Sequence, residues 1–156
     1  MAVTYEKIAT TTLASTTATV TFSSIPATYT DLVAVVYATQ GGDVYFQLNS
    51  DTGSNYSNTF IYNSTSFGSV RTSNDTKLYL NWSSNSGNYN GILNFNNYSN
   101  TTTYKNYLVQ DNINGASNDL GVGLWRNTAA INRIDFKGAN SYGVGSTFTL
   151  YGIKAA

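Results

Sequence analysis

The sequence predicts an all-β protein: an antiparallel two-sheet sandwich, jelly-roll-like, of about ten strands. Three observations lead there. Apolar and polar residues alternate with a period of two in one segment after another, the pattern of half-buried strands. Gly, Asn, Ser and Asp gather between those segments as turn residues do, at intervals of about 10–14 residues. Thr and Tyr, which favour strands, are abundant (22 and 13), while the chain holds a single Glu, Glu6.

Taken in order, residues 5–13 form a first strand of mixed pattern. Ala18, Val20 and Phe22 then alternate with Thr17, Thr19 and Thr21. The only proline, Pro26, lies in the connection that follows, since proline cannot donate to a ladder. Residues 32–38 (LVAVVYA) are apolar at every position. That predicts a strand near the centre of the sandwich, covered on both sides or overlaid by a neighbouring subunit. A turn at Gln40, Gly41, Gly42 and Asp43 leads to a strand with Val44, Phe46 and Leu48 inward and Tyr45 and Gln47 outward, so the two strands read as a hairpin. Residues 49–58 are a polar loop. Short strands follow at Phe60–Tyr62 and over 67–72. Residues 77–82 place Leu78, Leu80 and Trp82 inward and Tyr79 outward, and 83–88 are a loop. Residues 89–97 carry Leu93 and Phe95 on one face, and 104–111 are a further strand. Leu120, Val122 and Leu124 are taken as inward, with Gly121, Gly123 and Trp125 outward. Residues 131–153 close the chain as a strand pair. Ile134 and Phe136 alternate with Arg133, Asp135 and Lys137 in one arm, and Phe148 and Leu150 with Thr147, Thr149 and Tyr151 in the other.

The 156 residues read as a single domain without internal repeat. With no Cys and no His, disulfides, thiolate metal sites and the usual nucleophile–base arrangements are excluded. A net charge of zero from eight basic and eight acidic residues offers no patch for nucleic acid. No apolar run approaches a membrane span, and the first residues lack a signal-peptide pattern, so synthesis in a cytoplasm is expected. Asn, Thr and Ser together supply 59 residues. A neutral-polar surface of this kind depends little on salt, which suits an extracellular or virion surface.

Candidate sites are few. Asn49, Asp51, Gly53 and Asn55 have the alternate spacing of calcium loops, yet offer one carboxylate and no downstream Glu, so an Asx-rich turn is the plainer account. Paired carboxylates could make a glycosidase. However, Asp31, Asp43, Asp51, Asp75 and Asp119 sit at strand ends or in loops, and no two acids are singled out by motif. No catalytic residue, metal ligand or cofactor site is therefore assigned, and the protein is expected not to be an enzyme. Six Asn-X-Ser/Thr sequons (from Asn55, Asn63, Asn74, Asn81, Asn97 and Asn100) follow from the composition. Tyr45, Tyr79 and Trp125, outward by alternation, are the candidate interface. Gly121 and Gly123 would leave the Trp125 ring open for a subunit contact or a sugar.

Three stretches carry a resemblance: YEKIATTTLASTTATVTFSSIPATYTDLVAVVYA, LNSDTGSNYS and INRIDFKGANSYGVGSTFTLYGIKAA. They resemble a group of small β-sandwich structural proteins and domains of tailed bacteriophages, common in phages of cyanobacteria and other aquatic bacteria. Residues 23–37, 48–57 and 145–153 match the group's pattern, which spans nearly the whole chain. The resemblance implies a virion protein without enzymatic role. One placement is a capsid decoration (cement) protein on the outer capsid surface, bound to the major capsid protein and trimeric at local three-fold positions. The other is a tail-fibre or baseplate domain that recognises host surface carbohydrate. The short chain with its own Met1 and without an attachment segment favours the first.

Overall fold

In a computed structural model, residues 4–39, 43–82 and 87–154 are described, and they contain strands and no helix. The strands are β1 (Tyr5–Thr12), β2 (Thr17–Phe22), β3 (Asp31–Ala38), β4 (Val44–Leu48), β5 (Tyr56–Asn63), β6 (Phe67–Asp75), β7 (Leu78–Tyr79), β8 (Tyr89–Phe95), β9 (Lys105–Ile113), β10 (Ser117–Trp125), β11 (Ile134–Tyr142) and β12 (Thr147–Ile153). An eight-stranded sheet has the order β1-β12-β3-β8-β9-β10-β5-β6, and a four-stranded sheet has the order β2-β11-β4-β7. Every pairing is antiparallel. The two sheets pack as a sandwich, and the interleaving of early and late strands is compatible with a jelly roll.

The core forms where inward residues of the two sheets meet. Phe46 of the small sheet lies edge-on to Phe95 and Tyr107 of the large one, with ring centroids 5.6 and 5.0 Å apart. Phe136 meets Phe148 across the layers at 5.6 Å. Leu32, Ala34, Val36, Leu93 and Leu150 fill the space between. Burial of such side chains stabilises by roughly 25 cal/mol per Å² of apolar surface removed from water.

Over the outlying strands β10 and β5 the small sheet supplies only its edge, the two-residue β7, and the segment after it completes the cover, where the ring of Trp82 lies 6.3 Å from that of Phe60. Buried Asn58 makes so short a strand possible. Its Oδ1 accepts from the Tyr79 amide (3.1 Å) and its Nδ2 donates to the Lys77 carbonyl (3.1 Å), while the Tyr107 hydroxyl donates to the Tyr79 carbonyl (2.6 Å).

The expected hairpin and the expected closing strand pair are both divided between the two sheets. β3 lies between β12 and β8 in the large sheet, whereas β4 lies between β11 and β7 in the small one. Both edges of β3 are taken, so β4 can only cross to the opposite layer, where Phe46 faces β3's sheet across the core. Residues 40–42 of the expected turn lie outside the described residues. The closing pair divides in the same way: β11 pairs with β2 and β4, and β12 with β1 and β3. The strand at 60–62 is longer than expected, beginning at Tyr56, because the polar residues Ser57 and Thr59 alternate with inward Tyr56, Asn58 and Phe60. In β3 Leu32, Ala34, Val36 and Ala38 are buried on the inner face; on the outer face Val33 is buried as well, whereas Val35 and Tyr37 are open, so the cover is two-sided only at the start of the strand.

Candidate interaction surfaces

Two of the three candidate interface residues come together. Tyr45 and Tyr79 are register partners of β4 and β7 on the outer face of the small sheet, both half-buried. Lys77 lies over both rings, its Nζ 4.3 Å from the Tyr45 centroid and 5.0 Å from that of Tyr79. Such cation–π contacts hold the aromatic pair in place. Burial, with Asp75 and Asp43 nearby, pushes the Tyr79 phenol up, so it remains a neutral donor. On the same face Lys137, the partner of Tyr45 in β11, donates to Gln47 Oε1 at 2.6 Å. Arg133 grips Asp135 through Nε and Nη2 at 2.8–3.0 Å, and Thr21 adds a hydrogen bond at 2.6 Å. Burial works against the Asp135 charge, yet these bonds outweigh it and hold the carboxyl below its usual range.

Trp125, the third, is not on a surface; it is 1% exposed. Its ring stacks on Tyr56 (centroids 6.4 Å, planes 14° apart), and its indole N–H donates to Asp51 Oδ2 at 2.7 Å. The expectation failed because the polarity of β10 is inverted. Gly121 and Gly123 face inward and are seats: Phe60 lies against Gly121 and Tyr107 against Gly123, so closely that a Cβ at either glycine would collide with the ring. Leu120 and Val122, expected inward, are 47% and 50% exposed.

The loop before β5 uses its oxygens on its own chain. Asp51 accepts from the Gly53 amide (2.8 Å), from Asn55 Nδ2 and from Trp125. Asn49 Oδ1 accepts from the amides of Asn132 and Arg133, and its Nδ2 donates to the Ala130 carbonyl. The segment is an Asx-turn clasp that seats Trp125.

The large sheet's outer face carries a second surface that the sequence did not single out. On β8, β9, β10 and β5 the register aligns Asn90, Asn112, Asn118 and Asn63 in one transverse row. Tyr37 on β3 and Phe67 on β6 are the next residues of that row at either end. Two residues along each strand lies a mainly apolar row, Val35, Ile92, Gln110, Leu120 and Ile61. Apart from Tyr37, the residues of the two rows line a shallow groove of about 730 Å³. No sequence periodicity marks positions 63, 90, 112 and 118; only the pairing register brings them into line.

Beneath the groove lies a buried acid pair. Asp111 and Asp119 are direct register partners on the inward side of β9 and β10. Both are buried, and Asp119 is in mid-strand, not at a strand end as its sequence context suggested. Asp119 Oδ2 accepts from the Trp82 amide at 3.1 Å, whereas neither oxygen of Asp111 has a hydrogen-bond partner among the described residues. Burial first, then the neighbouring Asp119 charge, pushes the Asp111 carboxyl up to about 9. It is therefore protonated at neutral pH. Residues 83–86 of the expected loop beside Trp82 lie outside the described residues.

Compared with known protein families and with curated proteins, the chain matches none.

Proposed function

We propose that the chain is a non-enzymatic virion structural protein, a decoration protein that binds the outside of an assembled capsid through the outer face of its small sheet. The observation that carries this reading is the Tyr45–Tyr79 pair bridged by Lys77. Tyrosines held side by side on a rigid sheet provide large contact area at little further cost in side-chain freedom, and such residues dominate binding energy at interfaces.

The mechanism is linkage. A protein whose footprint spans several capsid subunits, the major capsid protein here, binds the finished shell and not its separated parts, and so stabilises the shell. A trimer would close such contacts by rotation about a local three-fold. The second reading is a tail-fibre or baseplate domain that recognises host carbohydrate; the groove on the large sheet is the observation in its favour.

Electron cryo-microscopy of the virion tests the placement. Hundreds of copies on the head are expected, and a few copies confined to the tail tip would overturn it. Tyr45→Ala is expected to bind depleted particles several-fold more weakly with thermal unfolding little changed, and Tyr79→Ala, which also removes the edge-on partner of Trp82 at 5.1 Å, to weaken binding while lowering the melting temperature. Undiminished particle binding would remove the small-sheet face from the account.

A further inference from the structure

We infer that the groove on the outer face of the large sheet is a binding site for a neutral oligosaccharide. It does not depend on where the protein sits in a virion. The groove lies on the side of the sandwich opposite Tyr45 and Tyr79, so a protein docked by the small sheet leaves it open.

Asn63, Asn90, Asn112 and Asn118 are all exposed, and none makes a side-chain hydrogen bond within the described residues. Each amide offers both donors and an acceptor. A sugar hydroxyl also donates and accepts, so amides and hydroxyls can pair whichever way each is turned. Adjacent strands are about 4.8 Å apart, so the four amides span roughly 14 Å, the reach of a short linear chain of sugar rings.

The neighbouring row supplies what amides lack. Ile92, Leu120 and Ile61 are exposed beside Asn90, Asn118 and Asn63. A pyranose has a hydroxyl edge and C–H faces, and this pairing of a polar row with an apolar row complements both. Phe67, 75% exposed, offers a ring at one end of the groove.

Charge and fit narrow the ligand further. The groove presents no charged side chain to solvent: its two carboxylates, Asp111 and Asp119, are turned inward and buried. A phosphate, a nucleic acid or an acidic glycan finds no counter-charge there. A protein partner fits less well, because covering four amides with a folded surface requires matching partners for every donor and acceptor, and each one missed is costly.

The test uses the purified full chain. An array of neutral and acidic glycans of two to six rings is screened, and calorimetry then measures affinity for the best neutral probe. Binding of at least one neutral glycan is expected, with no preference for uronate- or sialate-bearing ones. Asn112→Ala/Asn118→Ala is expected to weaken it at least about tenfold at unchanged melting temperature. Leu120→Thr, which removes only apolar floor, should weaken it less. No binding across the neutral probes, or an affinity unmoved by the double variant, overturns the site. If Leu120→Thr instead abolishes attachment to particles while no glycan binds, the groove is a protein-docking face and the inference fails. The virion placement is tested separately by copy number, so the two ideas can fail independently.

Discussion

Strands β11 and β10 face opposite ways: β11 turns its apolar residues inward and β10 turns Leu120 and Val122 outward, while their neighbour β9 keeps Tyr107, Val109 and Ile113 inside. In β11 the inward residues are Ile134 and Phe136, and the polar partners Asp135 and Lys137 are on the other face. In β9–β10 the outward residues include Leu108, Leu120 and Val122, while Lys105, Asp111, Ser117 and Asp119 are buried inside. Alternation states which residues share a face; it does not state which face is inside. A strand that exposes aliphatics, beside a buried Asp111 with no hydrogen-bond partner among the described residues, is not arranged for its own stability. Departures of this kind belong at working surfaces. Even the buried lysine is held by carbonyls instead of a counter-ion: Lys105 Nζ donates to Thr103 and Thr128 at 2.7 and 3.0 Å, and burial lowers its pKa.

The contrast can be sharpened by three changes. The largest effect belongs to the conventional side: Phe46→Ala should cost about 3–5 kcal/mol, because three rings lose their common partner and a cavity remains. Chemical denaturation would show that loss equally at all pH values.

Asp111→Asn should do the reverse. The folded state holds a proton that the unfolded chain releases, since the carboxyl is raised from 3.8 to about 9. This group's contribution therefore falls as pH rises through that window and levels off above it. The variant should be more stable at pH 7, by about 1–3 kcal/mol, and its stability should fall less steeply with pH. A variant that is destabilised at every pH would show that Asp111 is ionised and matched. The smallest effect is expected on the outer side of the same strands: Leu120→Thr with Val122→Thr should change stability by less than about 0.5 kcal/mol. A loss several times larger would mean that this face is core after all.

The difference also explains what the sequence disclosed. Fold class and most strand positions were legible, because period-two runs such as those ending at Phe22, Leu48 and Phe136 are local signals. Partners were not legible. β3 with β4, and β11 with β12, adjoin in sequence but belong to different sheets, and pairing is decided by distant segments. Tyr45 and Tyr79 lie on the outer face as expected because their strands follow the ordinary polarity. Trp125 was misplaced because Gly121 and Gly123 look like empty neighbours in a sequence, whereas in the fold they receive the rings of Phe60 and Tyr107. The amide row and the Asp111–Asp119 pair exist only through register, and no local pattern foretells them.

The central claim is that the two outer faces have different partners. Hydroxyl-radical footprinting of the protein on and off particles, with and without the best neutral glycan, addresses it directly. The account predicts that particles shield Tyr45 and Tyr79, and that the glycan alone shields Ile92 and Leu120. Shielding of Leu108, Leu120 and Val122 by particles, with the tyrosines left reactive, would contradict it.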